Sequence, residues 1–254
     1  MRTTRRLLAA TLAVFGLAAS ACGGDAADTS TTKLVVFAAS SLTGAFTDIG
    51  TAFAAAHPGT DVTFNFAGSG DLVNQIGEGA PADVFASADD ATMTKLIDAR
   101  LNDGAPVSIA RNRFEIIVEH GNPRGITGLA DLADPELIVV LCADTVPCGR
   151  GAADLLARAG VSITPKSLEN KVKGVVTKVT TGEADAGIVY TTDVLAAGGA
   201  ADGVEIPTDV NTTTSSSMVV IGDARHPATA RMFIEFVAGA AGQAILTRYG
   251  FLAP

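Results

Sequence analysis

Aromatic residues are scarce in this 254-residue sequence: they make up 5% of it, and tryptophan is absent. Basic residues are also few, because 18 lysines and arginines stand against 27 aspartates and glutamates, for a formal charge of −9. A nucleic-acid partner needs a basic surface for the phosphates and commonly aromatic side chains on which bases stack. The composition therefore argues against nucleic acid as a partner.

Histidines are few, and the common nucleotide-binding motifs are missing. The three histidines, His57, His120 and His226, are scattered, and each lies beside a proline or a glycine, so we interpret them as solvated loop residues. No glycine-rich dinucleotide motif and no P-loop occurs, and the AGSGD segment around Ser69 does not have the spacing of a nucleophile elbow. The sequence thus predicts no resident cofactor and no metal cluster.

The first residues indicate a secretion leader. Three arginines precede an apolar stretch over residues 7–19, which is too short to span a bilayer comfortably. Ala-Ser-Ala then precedes Cys22, an arrangement typical of bacterial lipoproteins, so we expect a signal peptide over residues 1–21 and a lipid on Cys22. Residues 22–32 are mostly small and polar and predict a flexible tether. An ordinary cleaved leader with an incidental cysteine is the alternative.

Removal of the leader also removes its three arginines, which leaves 15 basic against 27 acidic residues and a charge of −12. The predicted mature protein is an extracytoplasmic domain, lipid-anchored to the cell membrane. In that compartment Cys142 and Cys148, close together in the sequence, can oxidise, and we expect a disulfide between them. Spacing alone leaves open whether their Cα atoms approach closely enough.

From Lys33 onward, short β-rich runs alternate with alanine-rich helical segments, which is typical of α/β proteins with largely parallel sheets. The predicted strands are 33–38, 61–66, 82–87, 108–110, 113–120, 137–142, 184–190 and 218–222. The predicted helices are 42–56, 71–79, 90–99, 151–160, 171–182 and a C-terminal group. The length suits two sheets joined by two chain crossings. We predict a lobe I of residues 33–111 and 217–254 and a lobe II of residues 112–216.

Four junctions that lead into helices concentrate small and polar residues. They are Ser40-Ser41, Gly68-Ser69-Gly70, Pro147-Cys148-Gly149 and residues 168–172. A helix start offers unpaired backbone N–H groups and the positive end of the helix dipole, and small residues let an anion approach them. In open α/β sheets such junctions gather at the carboxyl ends of strands, where ligands bind. For any one junction alone, an ordinary helix cap is the alternative.

Several segments resemble the molybdate-binding proteins of ABC uptake systems. They are residues 36–53, 66–89, 146–156, 182–193 and 248–251, and the similarity extends over residues 33–254. The resemblance implies a two-lobed fold like that of type II periplasmic binding proteins. In that fold, mixed or mostly parallel sheets carry flanking helices, and the ligand cleft lies between the lobes. It further implies a monomeric, non-enzymatic binding protein that captures molybdate, and tungstate, for a membrane permease. Molybdenum would enter only as the oxyanion.

By motif, the resemblance assigns ligand-binding roles to Ser41, Ser69, Cys148, Val172 and Tyr190. The serines and Tyr190 would donate hydroxyl hydrogen bonds, and Cys148 and Val172 would donate backbone N–H groups. This chain departs from the family at two of these positions. Cys148 replaces an alanine, and the Asn-Lys pair before Val172 is one residue longer than the commonest spacing.

Three cations lie close in sequence to these junctions: Arg150, Lys171 and Lys173. We expect all three to point to solvent. Neutral dipoles alone would then hold the anion, because each helix start acts like about half a positive charge.

Three alternatives stay open. The same fold could bind sulfate or phosphate, and Asp71 would then accept the proton of a protonated phosphate, although helix-dipole compensation is its simpler role. A serine hydrolase acting through Ser41 or Ser69 would need a histidine base within reach. An adhesive surface lipoprotein would bind no small anion.

We predict that Cys22 carries a lipid in the mature protein. Metabolic labelling with a radioactive fatty acid should mark the wild-type chain, and Cys22→Ser should lose the label because its side chain cannot form the thioether. Cys142→Ser is the matched control and should keep it. Equal labelling of wild type and Cys22→Ser would contradict lipidation at this residue.

Overall fold

The structure, a computed structural model, describes residues 31–254. The predicted signal peptide, Cys22 and the tether up to residue 30 lie outside the described residues. Within residues 31–254, no helix is both long and apolar enough to cross a membrane. Strand β1 already begins at Thr32, at the end of the predicted tether.

Residues 31–254 contain nine strands and eight α-helices. The strands are β1 Thr32–Ala39, β2 Thr60–Ala67, β3 Val84–Ser87, β4 Asn102–Glu119, β5 Val139–Cys142, β6 Ser167–Glu169, β7 Ala186–Tyr190, β8 Ala201–Glu205 and β9 Thr213–Ile221. The helices are α1 Thr43–Ala56, α2 Ser69–Gly77, α3 Asp90–Asp98, α4 Pro147–Ala159, α5 Val172–Thr180, α6 Thr191–Ala197, α7 Pro227–Ala238 and α8 Ala240–Arg248. Short 3-10 turns cover Ser40–Leu42, Leu129–Ala133 and Gly198–Ala200.

The strands follow the order β2-β1-β3-β9-β4-β7-β5-β6, and β8 pairs with β4. The pairs β1–β2, β1–β3, β5–β6 and β5–β7 are parallel, whereas every pair that involves β4 or β9 is antiparallel. We call lobe I the part built on β1, β2, β3 and β9, and lobe II the part built on β5 to β8. The mixed α/β architecture predicted from the sequence is confirmed.

Strand β4 belongs to both lobes. Its segment 102–113 pairs with β9, its segment 114–118 pairs with β7, and its segment 115–119 pairs with β8. The sequence analysis predicts two separate strands here, but a single strand with two register irregularities runs through. Strand β4 runs through residue 112 and strand β9 runs through residue 217 without a break. The lobe boundaries predicted at these two residues therefore fall inside strands, and they stay predictions.

The polar segment before Met218 is the clearest local difference from the predicted secondary structure. Residues 213–217 consist only of threonine and serine, yet they form the first half of β9. They pair with β4, and Ser216 and Ser217 are buried in the process. Residues 213–217 have no hydrophobic periodicity from which a strand could be predicted. Hydrogen bonds to the backbone of the neighbouring strand β4, and not apolar side chains, hold this segment in place.

Lobe I has an apolar core on each side of its sheet, as the period of two along its strands requires. On β1, Val36 and Ala38 pack with α1, α7 and α8, while Phe37 between them packs with α2 and α3. Phe46 and Phe233 fill the first core and Leu96 lies in the second. Lobe II has a separate core around β5, β7 and the second part of β4.

Asp83 joins three elements of lobe I through its buried side chain. Its Oδ2 accepts the Val35 N–H of β1 at 2.8 Å, and its Oδ1 accepts the His226 N–H at the start of α7 at 2.9 Å. Its own N–H donates to the Val35 carbonyl. This carboxylate therefore holds the start of α7 against strand β1.

Asp83→Ala should lower the free energy of unfolding by about 2–3 kcal/mol, because it leaves two backbone donors without their acceptor. Asp98→Ala, at an exposed position in the last turn of α3, is the matched control and should change it by less than about 0.5 kcal/mol. Urea unfolding followed by circular dichroism measures both. Equal stability of the two variants would show that Asp83 does not have this role.

Candidate functional site

A small cavity of about 20 Å³ lies between the two lobes. It is lined by the carboxyl ends of strands and the first residues of the helices that follow them. All five residues predicted as ligand-binding are in its wall: Ser41, Ser69, Cys148, Val172 and Tyr190. The structure thus brings together predicted residues that are up to 149 positions apart in the chain, from Ser41 to Tyr190.

Lobe I contributes the two serines because its strands end in register. Ala39 of β1 pairs with Ala67 of β2, so the turns that follow both strands leave the sheet side by side. Ser41 lies in the 3-10 turn after β1, and Ser69 is the first residue of α2. Ser69 is 1% exposed, and its Oγ accepts the Ala88 N–H at 3.3 Å, which leaves the hydroxyl proton available for a ligand.

Gly68, the N-cap of α2, lies directly against lobe II. A Cβ at this position would collide with the backbone carbonyl of Asn170 in the turn before α5. Its φ of −62° is available to any residue, so space and not backbone conformation requires glycine here. The two lobes are therefore in backbone contact at the edge of the cavity, which is the closed arrangement.

Lobe II contributes two helix starts. Helix α4 begins at Pro147, which has no N–H, so the first N–H of the helix belongs to Cys148. The next two N–H groups, of Gly149 and Arg150, both donate to the Val146 carbonyl. Within residues 31–254, the Cys148 N–H has no protein acceptor.

Helix α5 presents its first turn to the cavity in the same way. It begins at Val172, with Lys171 as N-cap, and the Gly174 N–H is the first to close back onto the Lys171 carbonyl. The Val172 N–H has no protein acceptor within residues 31–254. Together with α2, three helices thus direct the positive ends of their dipoles at one cavity.

Cys148 also forms a disulfide with Cys142, the last residue of β5, with a Cα–Cα distance of 5.7 Å. The loop between them is tightly folded: a Cβ at Gly149 would collide with the Ala143 carbonyl, and the Ala143 N–H donates to Glu169 of β6. The disulfide therefore links the start of α4 to the end of its supporting strand and restricts the direction of the Cys148 N–H.

Tyr190 ends β7 and forms the inner wall of the cavity. It is 2% exposed, and its ring packs on Phe114 of β4 with a centroid distance of 4.9 Å. Its hydroxyl is buried without a hydrogen-bond partner among the described residues. Burial raises the pKa of the phenol far above its usual value, and the nearby Asp89 and Asp193 carboxylates raise this pKa further. Tyr190 therefore stays protonated and available as a donor.

The expectation that all three neighbouring cations point to solvent is wrong for two of them. Arg150 Nη2 lies 2.6 Å from Asp89 Oδ2, and Lys173 Nζ lies 3.0 Å from Oδ1 of the fully buried Asp193. Lys171 is exposed as expected, but it is also part of the cavity wall. Sequence proximity did not reveal these carboxylate partners because they come from distant parts of the chain.

The residues behind the open alternatives lie elsewhere. Asp71 is in the first turn of α2 and is not part of the cavity wall in the described chain, a position that fits compensation of the helix dipole. None of the three histidines, all of which lie in the described part, lines the cavity. His57, for example, packs on Phe53 at the end of α1, with a ring-centroid distance of 4.3 Å. None of the serines in the wall therefore has a histidine base beside it.

Nine further residues line the wall beside the five predicted as ligand-binding, and most of them present backbone or small side chains. These residues are Ala39, Ser40, Ala67, Gly68, Ala88, Val146, Pro147, Asn170 and Lys171. Five of them lie inside the four predicted junctions, although none was named as a ligand-binding residue, and Ala39, Ala67 and Val146 directly precede a junction. Ala88 is different: it follows β3, for which no junction was proposed. Two lobes closed over a small, donor-lined cavity define the class of solute-binding proteins.

The chain belongs to the family of bacterial extracellular solute-binding proteins, whose model matches residues 34–252. It is 42% identical over 222 residues to the molybdate-binding protein ModA of Mycobacterium tuberculosis, which covers 87% of this chain and 85% of that protein. It is 31% identical over 229 residues to ModA of Escherichia coli, covering 86% and 88%. The resemblance identified from the sequence is confirmed.

Solved structures show the same fold. The periplasmic molybdate-binding protein of Azotobacter vinelandii superposes with a TM-score of 0.75 at 22% identity, over 87% of this chain and 99% of that one. The sulfate-binding protein SubI of Mycobacterium tuberculosis superposes with a TM-score of 0.79 at 18% identity, over 87% and 86%. These neighbours confirm the predicted two-lobed fold, and because they bind different anions the fold alone does not select the ligand.

We predict that Cys142 and Cys148 are oxidised in secreted protein. Thiol titration of denatured, unreduced Cys22→Ser protein should find close to no free thiol, and prior reduction should release both cysteines. The single variant Cys142→Ala should expose the remaining thiol of Cys148 without reduction. Two thiols that titrate freely in the unreduced protein would contradict the disulfide.

Proposed function

We propose that this protein is an extracytoplasmic, lipid-anchored solute-binding protein that captures molybdate and tungstate for an ABC permease. The observation that carries the proposal is the convergence of three helix starts, two serines and one protonated tyrosine on a single cavity between the lobes. Its relatives named molybdate-binding protein, at 42% and 31% identity, support the choice of anion. The family places the chain among binding proteins rather than enzymes.

The proposed binding mode uses neutral donors. Ser41, Ser69 and Tyr190 donate hydroxyl hydrogen bonds, and Cys148 and Val172 donate backbone N–H groups to the oxygens of the anion. A hydrogen bond to a charged group contributes about 1.5–3 kcal/mol. Several such bonds in the cleft replace the hydration shell of a dianion. Because the fold fixes these dipoles in place, they do not have to reorganise when the anion binds.

The donor-rich wall also argues for a fully ionised anion. Molybdate, tungstate and sulfate carry no proton near neutral pH and need only donors, whereas protonated phosphate needs an acceptor for its own proton. Asp71, the carboxylate considered for that role, does not line the cavity. Sulfate therefore remains the anion that the experiment must separate from molybdate.

Capture is proposed to involve movement of the lobes. Strands β4 and β9 carry the chain between lobes, and the backbone contact between Gly68 and Asn170 closes the cavity at its edge. Rotation about the segments near residues 112 and 214 would separate that contact and admit the anion. A lipid on Cys22 would keep the monomeric protein at the membrane surface, close to its permease.

Calorimetric titration of the protein with molybdate, tungstate, sulfate and phosphate tests the proposal. We expect tight binding of molybdate and tungstate and at least about 100-fold weaker binding of sulfate and phosphate, a difference of about 2.7 kcal/mol. Preferential binding of sulfate would show that this member of the fold serves another oxyanion. Absence of binding to all four would favour the adhesive lipoprotein.

Ser69→Ala and Ser41→Ala should each weaken molybdate binding by about 1.5–3 kcal/mol, roughly ten- to 150-fold, because each removes a donor to a buried charge. Ser162→Ala, at an exposed position in lobe II, is the matched control and should leave the affinity unchanged. Ser69→Ala also removes the acceptor of the Ala88 N–H, so its unfolding without ligand is measured as well and should change by no more than about 1 kcal/mol. Wild-type affinity in both variants would exclude these serines as donors.

A further inference from the structure

One ion pair connects the two lobes beside the cavity. Arg150 is on α4 of lobe II, and Asp89 is the N-cap of α3 in lobe I. The Asp89 Oδ2 accepts hydrogen bonds from Arg150 Nε at 2.9 Å and from Nη2 at 2.6 Å. Nη2 also donates to Thr92 Oγ1 at 2.6 Å, while Nη1 donates to the Thr145 carbonyl of its own lobe at 2.6 Å. One guanidinium is thus bonded to both lobes.

The other ion pairs within residues 31–254 each stay inside one lobe. In lobe I they are Arg231–Asp103 and Arg248–Asp48; in lobe II they are His120–Asp202, Arg124–Asp185, Arg158–Asp154, Lys173–Asp193 and Lys178–Glu169. The Asp89 and Arg150 side chains are also mostly covered, with 12% and 27% exposure. Such a pair is less weakened by solvent than an exposed one.

Both residues of the pair are close in sequence to residues that line the anion cavity. Ala88, the residue before Asp89, lines the cavity, and so does Cys148, two residues before Arg150. An unpaired Asp89 would therefore place a negative charge close to a bound anion. Arg150 neutralises that charge in the closed arrangement, although it does not itself line the cavity.

We propose that Asp89 and Arg150 form an interlobe latch that stabilises the closed arrangement and slows release of the bound oxyanion. They are positioning residues, and this inference rests on the proposed function. When the lobes separate, Asp89 keeps its bond from the Thr92 N–H, at 2.9 Å, and Arg150 is hydrated, so neither is left buried and unpaired. The latch therefore shifts the equilibrium towards the closed form without preventing opening. It strengthens the binding of any ligand that requires the closed form.

The first test compares two arginines of the same helix. Arg150→Gln should raise the molybdate dissociation rate, measured by stopped-flow displacement, by at least about tenfold, because truncating one partner of a mostly buried charge pair acts mainly on dissociation. Arg158→Gln is the matched control: it removes the same charge from α4, but its partner Asp154 is on the same helix and both are half exposed. It should change the rate by less than about twofold. Equal rates in the two variants would overturn the latch.

A second variant separates charge neutralisation from general damage. Asp89→Asn keeps an oxygen that caps α3 but removes the negative charge. Added to Arg150→Gln, it should recover at least about threefold in molybdate affinity, because no carboxylate is then left unpaired beside the anion. A double variant that binds as weakly as Arg150→Gln alone would show that Arg150 acts through packing and would overturn the role of the pair.

A ligand-independent measurement separates the latch from the choice of anion. Spin labels at exposed positions in α3 and α4, introduced as Thr94→Cys and Ala157→Cys in the full chain with Cys22→Ser, report the distance between the lobes by pulsed electron paramagnetic resonance. Without ligand, Arg150→Gln should shift the distances to larger values and Arg158→Gln should not. If wild type fails to bind molybdate, the proposed anion is wrong, and the interlobe distances alone then test the latch. A shift specific to Arg150→Gln supports the latch, and identical distance distributions overturn it.

Discussion

The structure depends on one constraint: backbone donors from two separate lobes must meet at a single small cavity. Lobe I supplies the start of α2 because Ala39 and Ala67 end their strands in register. Lobe II supplies the starts of α4 and α5, each with an N–H that no protein group accepts among the described residues. Such groups are costly to bury unless a ligand or water accepts their hydrogen bonds, so the arrangement suits an occupant made of acceptors.

Two of the three cations near the cavity are paired with carboxylates, whereas Lys171 is exposed and belongs to the wall. Arg150 pairs with Asp89 and Lys173 pairs with Asp193, so both of these cations are neutralised outside the wall. The same carboxylates help to raise the pKa of Tyr190 and keep its phenol protonated. The wall that results is lined mainly by small and apolar residues, with serine hydroxyls, the Tyr190 phenol and backbone N–H groups among them. Under the proposed function, these oriented dipoles favour a ligand that carries no proton of its own.

Most helices and strands were predictable because their apolar residues follow the period of the element that they form. The strand over 33–38 and the helix over 90–99 match β1 and α3 within a residue or two. The threonine and serine residues of β9 and the short strands β6 and β8 escaped prediction, since their neighbours in the sheet, and not their own apolar pattern, hold them in place. The five residues predicted as ligand-binding all line the cavity, and they were named only with the help of family motifs.

The sequence by itself determined the α/β class, the helix starts with small residues and the cysteine pair, because each of these follows from local composition and spacing. Only the tertiary structure decided that the four junctions face one another, that Gly68 touches the Asn170 backbone and that Arg150 reaches Asp89. The Gly68–Asn170 and Asp89–Arg150 contacts join positions roughly 60–100 residues apart. Their geometry depends on how the two lobes pack, which no local pattern of residues encodes.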